Sequence, residues 1–227
     1  ESAHHAWLEE VDDWKKEFPL GFPKEGLTPQ FVIKTLDQIR DQELILTTDV
    51  GQHQMWAALF YKFKEPNTFL ASGGLGTMGY GFPASVGAQY GNPKKTVVAI
   101  TGDGSFQMHM AELGTAMENR LPIKILLFNN NCLGLVRQLQ SFYCNQRFSE
   151  IDFKCNPDFI MLARCDGAVG YRITQKEEVE PILKEALTND KLTIIECVVQ
   201  AENMVYPMVL NSKGLNEMKQ YPDKEGE

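Results

Sequence analysis

The residues best suited to chemistry in this chain are an aspartate between two glycines and a run of three asparagines. Gly102-Asp103-Gly104-Ser105 follows the apolar run Thr96-Val97-Val98-Ala99-Ile100, and Asn129-Asn130-Asn131 follows Ile123-Lys124-Ile125-Leu126-Leu127-Phe128. Gly102 and Gly104 let the backbone turn tightly and bring N–H groups against an anion. Ser105 leads into a helix, whose N-terminus favours negative charge. The carboxylate of Asp103, an asparagine amide oxygen and a nearby backbone carbonyl are hard oxygen ligands. Mg²⁺ takes only a few of these from protein and completes its octahedron with phosphate oxygens and water. The set reads as a magnesium–diphosphate site.

Such a site needs elements to hold it. Both apolar runs are short, bounded and rich in β-branched or large apolar residues, the pattern of buried parallel strands. The stretch from His109 to Asn119 has helical length and completes a βαβ unit. Asp103 and the asparagines then lie just past the carboxyl ends of two strands, where open α/β sheets bind ligands. With further strands at about 44–48, 69–72, 169–173 and 193–199, the chain predicts an α/β fold. Its sheet is mostly parallel and six-stranded, with helices on both faces.

Other segments give local expectations. Thr28-Pro29 caps and starts a helix through Arg40, with Phe31, Val32, Thr35, Leu36 and Ile39 inward. Pro181 delays the start of a helix over 176–188. Trp7, Leu8, Val11, Trp14 and Phe18 recur at helical spacing before Pro19, and this short helix must pack on something. His4 and His5 beside it are a surface pair. The expected division is 1–20 as the tail of a preceding domain or a linker helix, 21–200 as the α/β domain, and 201–227 as an extension. The last dozen residues are expected to fray.

The bulk properties exclude several classes. A chain of 227 residues buries enough surface to need no staples. Its five cysteines form no C-x-x-C pair, which argues against a zinc site or disulfide framework and for a reducing cytoplasm. A net charge of -8 argues against a nucleic-acid groove. No apolar stretch is long enough to span a membrane, and no signal peptide is expected at the start.

Gly74-Leu75-Gly76-Thr77-Met78-Gly79 matches the G-x-G-x-x-G of nicotinamide-binding folds. That motif needs an acidic residue at the end of the next strand for the ribose. Asn92-Pro93-Lys94-Lys95-Thr96 offers none before Asp103, so the dehydrogenase reading fails. Asp49-Val50-Gly51-Gln52-His53 joins a strand to a helix, a position from which Gln52 and His53 would donate to phosphate.

Gly-Asp-Gly followed at this interval by Asn-Asn resembles the signature of thiamine-diphosphate enzymes. Ser72 to Ala84, Leu133 to Gln140, Val205 to Met208 and Lys213 to Leu215 are similar to acetohydroxyacid (acetolactate) synthases, a likeness covering roughly Gly21 to Met218. The resemblance implies a C-terminal, diphosphate-binding domain of a three-domain subunit. Asp103 and Asn130 would give side-chain oxygens to Mg²⁺, and Cys132 its backbone carbonyl. Val50, Gly51, Gln52, His53, Gly102, Asp103, Gly104, Ser105, Asn130, Gly134 and Leu135 would hold thiamine diphosphate. Met78 would wedge between its rings and meet the pyrimidine through its N–H, and the Gly76 carbonyl would accept from the amino group. Met78, Val136 and Leu139 would line the approach of the substrates, pyruvate and a second 2-oxoacid such as 2-oxobutanoate. Leu139 stands where many synthases have tryptophan.

The resemblance further implies that the activating glutamate and an FAD-binding middle domain belong to regions absent here. Glu112 does not replace that glutamate, and no catalytic residue is expected in this chain. The parent would be a homodimer or tetramer, with a possible regulatory small subunit. Alternatives are another thiamine-dependent 2-oxoacid decarboxylase, oxidase or carboligase, and a non-catalytic module that binds cofactor or a partner.

Overall fold

The computed structural model of the chain describes residues 4–165 and 167–222. The described residues fall into two compact units, one of residues 25–204 and one formed by residues up to Lys24 together with those from Val205. The two terminal segments, expected as separate pieces, thus group together.

In the larger unit six strands form one all-parallel sheet: β1 (Ile45–Thr48), β2 (Phe69–Ala71), β3 (Val97–Gly102), β4 (Lys124–Asn129), β5 (Val169–Ile173) and β6 (Thr193–Val198). Their spatial order is β2-β1-β3-β4-β6-β5. Register follows the alternation of side chains, with Ala99 opposite Ile125 and Ile125 opposite Ile194. These residues face one core layer with Phe82, Phe106, Leu113 and Phe159, all almost fully buried. The alternate side chains face the other layer, where Trp56 packs edge-on against Phe128 with ring centroids 6.4 Å apart.

The terminal unit contains α1 (His5–Glu17), none of whose residues is buried. Trp7 and Trp14 instead stack edge-to-face at 5.4 Å, and His5 pairs with Glu9 at 3.2 Å on the surface. The expected fraying of the last dozen residues is not seen in their described part. Leu215–Glu217 form a 3₁₀ turn, and Met208 and Lys219 exchange backbone hydrogen bonds of 2.9 and 2.8 Å. The remaining residues, 223–227, lie outside the described ones.

Covering the sheet are α2 (Pro29–Ile39), α3 (Gln52–Phe60), α4 (Gly81–Gly91), α5 (Asp103–Met108), α6 (Glu112–Glu118), α7 (Gly134–Tyr143), α8 (Phe159–Cys165) and α9 (Val179–Thr188). The Thr28 hydroxyl caps α2 by accepting from Phe31 N at 3.3 Å. On α2 the fully buried face holds Ile33 and Gln30 beside Val32, Thr35 and Leu36, while Phe31 and Ile39 are only half-buried.

The helix expected over 176–188 does start late, at Val179, and Pro181 falls in its first turn, where its missing N–H has no helical partner to lose. A 3₁₀ turn at Lys176–Glu178 leads into that helix, and the Glu178 carboxylate accepts from Thr174 N and Gln175 N at 2.8 and 2.9 Å. The helix expected over 109–119 is shortened to Glu112–Glu118 and is preceded by a separate α5, which starts at Asp103 and ends before His109. His109 caps α5 rather than sitting inside a helix, and its ring lies against Gly79, where a Cβ would come within 2.5 Å of Nδ1.

Among the described residues no helix is long and apolar enough to cross a membrane. All five cysteines are free.

Candidate functional site

The strand order creates the site. From β1 the chain passes through α3 to β2 on one side, whereas from β3 it passes through α5 and α6 to β4 on the other. Connections diverging in this way leave a crevice between the carboxyl ends of β1 and β3. A cavity of about 140 Å³ lies there, lined by the loops after β1, β3 and β4. Small-molecule sites commonly enclose roughly 300–1,000 Å³, so this cavity is smaller than most.

Three helices begin at this cavity: α3 at Gln52, α5 at Asp103 and α7 at Gly134. Their first turns carry backbone N–H groups that lack helical partners and favour an anion. Gly51 precedes α3 with φ +147, and a Cβ there would come within 2.7 Å of the His53 ring, so only glycine fits. Asn131 holds φ +54 in the loop after β4. Asparagine tolerates that left-handed conformation better than most side chains.

Asp103 is buried beneath the cavity. Its Oδ1 accepts from Gly104 N at 2.9 Å and its Oδ2 from Asn156 Nδ2 at 2.8 Å. Burial pushes its carboxyl up to about 6, against hydrogen bonds from Asn156, Gly104 and Asn131 that favour the charged form. These donors are all neutral, so a divalent cation would find a carboxylate not already paired with a positive charge. Asn130 and Cys132 line the same cavity, with Asn130 Oδ1 accepting from Cys132 N at 3.2 Å. Burial raises the Cys132 thiol to about 12, aided by the Asp103 charge, and this keeps the sulfur protonated.

Around this cluster stand the other expected residues. Val50, Gly51, Gln52, His53, Met78, Gly102, Gly104, Ser105, Gly134, Leu135 and Val136 all line the cavity. The imidazole of His53 is fixed by a contact between Nε2 and Asp49 Oδ1, which leaves Nδ1 beside Gly102. Asp49 Oδ2 in turn accepts from Gly79 N at 3.1 Å, tying in the glycine-rich loop that carries Met78. At Gly104 a Cβ would meet Phe153 Cζ at 2.8 Å and Met78 Cε at 3.2 Å, so the loop closes over this glycine.

Two expected residues lie apart. Gly76 sits in an exposed turn closed by Ser72, whose carbonyl accepts from Gly76 N at 3.0 Å, and it does not line the cavity. Leu139 is half-buried on α7 and also lies outside the lining, one turn beyond Val136 on the same side of the helix. Glu112 is on α6, where its carboxylate accepts from Thr115 Oγ1 at 2.9 Å.

Sequence reasoning missed Asn156, Trp56 and Phe128. Asn156 joins the site from a loop whose only local signal is an asparagine before a proline. Trp56 and Phe128 line the cavity, and Trp56 Nε1 is buried with no hydrogen-bond partner among the described residues.

Comparison with known proteins adds an independent line. Residues 49–197 match the family model described as thiamine pyrophosphate enzyme, C-terminal TPP binding domain. The chain is 42% identical over 218 residues to the mitochondrial acetolactate synthase catalytic subunit of Saccharomyces cerevisiae, covering 93% of this chain and 32% of that protein. It is 40% identical over 229 residues to the acetolactate synthase isozyme 3 large subunit of Escherichia coli, covering 96% and 40%. It is also 44% identical over 211 residues to the acetolactate synthase large subunit of Corynebacterium glutamicum, covering 89% and 34%. The chain thus spans less than half the length of the curated relatives it matches.

Proposed function

Because the chain belongs to the family of thiamine pyrophosphate enzymes, as their C-terminal TPP-binding domain, we propose that it is the diphosphate- and magnesium-holding part of an acetolactate synthase large subunit. The parent would condense pyruvate with a second 2-oxoacid in branched-chain amino-acid biosynthesis. The relatives' names and the breadth of the match support that choice over another 2-oxoacid decarboxylase, oxidase or carboligase.

The observation that carries the reading is the convergence of Asp103, Asn130 and Cys132 on one cavity where three helices begin. In this reading the Asp103 carboxylate, the Asn130 amide oxygen and the Cys132 carbonyl hold Mg²⁺. The first turns of α3 and α7, with His53, hold the diphosphate, and Met78 packs against the rings. Thiamine diphosphate, when bound, supplies the electron sink for decarboxylation of a 2-oxoacid. The chain's own residues bind and orient it, while Val136 and Leu139 border the approach of the second 2-oxoacid.

The remainder of the parent would supply the activating glutamate, the rest of the cofactor pocket and any flavin. The chain by itself is then inactive. Assembly as a homodimer or tetramer, with a regulatory subunit, in a reducing cytoplasm, completes the proposal. Calorimetric titration of the full-length subunit with thiamine diphosphate, with and without Mg²⁺, tests it. Asp103→Ala should abolish magnesium-dependent binding, and unchanged affinity would overturn the assignment.

A further inference from the structure

Asn156 lies where three oxygens from three separate residues meet. Its Nδ2 is 2.8 Å from Asp103 Oδ2, 3.0 Å from Asn129 Oδ1 and 3.1 Å from Asn131 Oδ1. An amide nitrogen has two hydrogens, so it serves these acceptors in turn while holding all three residues around one point. Asp103 opens α5 directly after β3, and Asn129, the last residue of β4, flanks Asn130 together with Asn131. One side chain therefore ties together the two strand ends that carry the proposed metal ligands.

The orientation of this amide is itself fixed. Gln107 Nε2 donates to Asn156 Oδ1 at 2.9 Å and to the Asp103 carbonyl at 3.2 Å. A flipped Asn156 would set its oxygen against a carboxylate and two amide oxygens, and its NH₂ against that of Gln107. The asparagine at the other end is fixed likewise. Asn129 Nδ2 donates to the buried Glu196 Oε1 at 2.7 Å, and Glu196 Oε2 accepts from Arg172 Nε at 2.7 Å. Arg172 reaches on to Asp158 Oδ1 at 2.9 Å. Asp158 Oδ1 also accepts from Ile160 N and Met161 N, so the residue two places after Asn156 is anchored at the start of α8.

We infer that Asn156 is a positioning residue for the metal site: it holds the Asp103 carboxylate in register with the Asn129–Asn131 turn, so that Asp103 and Asn130 present oxygens to the same cavity. The inference rests on the magnesium–diphosphate reading above. It assigns to Asn156 no contact with metal or cofactor. Partners that orient metal ligands typically matter by about 10–100-fold in metal affinity.

The test measures the Mg²⁺ concentration that half-saturates thiamine-diphosphate binding in the full-length subunit, by calorimetry, for wild type, Asn156→Ala, Asn156→Asp and Asp103→Ala. Asn156→Ala should raise that concentration about 10–100-fold, with binding recovered at high Mg²⁺ and the ligand-free melting curve still cooperative. Asn156→Asp keeps the size but turns an oxygen toward three oxygens, and should weaken binding further. Should either variant fail to fold, Gln107→Ala, which leaves Asn156 free to flip, carries the same expectation in smaller measure. Unchanged half-saturation in the folded Asn156 or Gln107 variants, with Asp103→Ala inactive in binding, overturns the role of Asn156 and leaves the metal site standing. Unchanged binding in Asp103→Ala as well overturns the metal site itself.

Discussion

Gln138 of α7 accepts a hydrogen bond from Gln52 Nε2 of α3 at 2.8 Å, joining two of the helices that begin at the cavity. Gln52 Nε2 also donates to the Asn203 carbonyl at 2.8 Å, so the amide is held at one end by two partners. Its Oε1 is buried, has no hydrogen-bond partner among the described residues and points at Gly134, where an added Cβ would lie 2.2 Å away.

Gly134→Ala is therefore expected to disrupt the site. The new methyl would also meet Asn130 Nδ2 at 2.8 Å, and Gln52 cannot retreat without losing its two acceptors. Overpacking of this kind costs about 1–3 kcal/mol. Urea unfolding should show that loss, and titration of the full-length subunit should show weakened thiamine-diphosphate binding. Wild-type values for both would mean that the first turn of α7 has room to move.

Lys124 provides a pH test of the sheet at the end away from the cavity. Burial pushes its ammonium down to about 8 from 10.5, although Nζ donates to Asn189 O, Asn189 Oδ1 and Lys191 O at 2.8, 2.9 and 2.7 Å. Between these two values the unfolded chain binds more protons than the folded one, so this residue's contribution to stability rises with pH. Lys124→Met leaves buried acceptors short of a donor and should destabilise by about 1–3 kcal/mol at neutral pH. The gap between wild type and variant, measured by urea unfolding, should widen from pH 8 toward pH 10. A gap that narrows would show that the ammonium is favoured by burial in this setting.

Under the proposed function, Leu139 would bear on the choice of second substrate. It follows Val136 by one turn of α7, and leucine offers the extra methyl of 2-oxobutanoate a smaller wall than an indole would. One methylene in an apolar pocket is worth about 1–3 kcal/mol, or roughly 10–200-fold in selectivity. The parent should therefore prefer 2-oxobutanoate over pyruvate only weakly, and Leu139→Trp should raise the preference. Competition assays with both 2-oxoacids measure it, and no gain in the variant would assign Leu139 to packing alone.

The strands and the segments between them were legible because burial on both faces demands mostly apolar runs, as in Ile125–Phe128, and because Gly-Asp-Gly and Asn-Asn-Asn interrupt those runs abruptly. The cavity lining from Val50 to His53 and from Gly102 to Ser105 followed from position at strand ends. What local pattern did not carry was tertiary. At the break between α5 and α6, His109 packs against Gly79, thirty residues earlier in the chain. Asn156 is unremarked in sequence because its three acceptors lie at the ends of β3 and β4, brought together only by the sheet. Gly76 and Leu139, assigned by resemblance, stand outside the cavity lining.

The central claim is that Asp103, Asn130 and Cys132 share one divalent cation. Mn²⁺ can replace Mg²⁺ as an octahedral, oxygen-seeking ion, and its anomalous scattering locates it directly. Crystals of the full-length subunit grown with Mn²⁺ and thiamine diphosphate should give an anomalous peak within coordination distance of the Asp103 carboxylate, the Asn130 amide oxygen and the Cys132 carbonyl. A peak elsewhere, or bound cofactor with no peak among these three residues, would contradict the account.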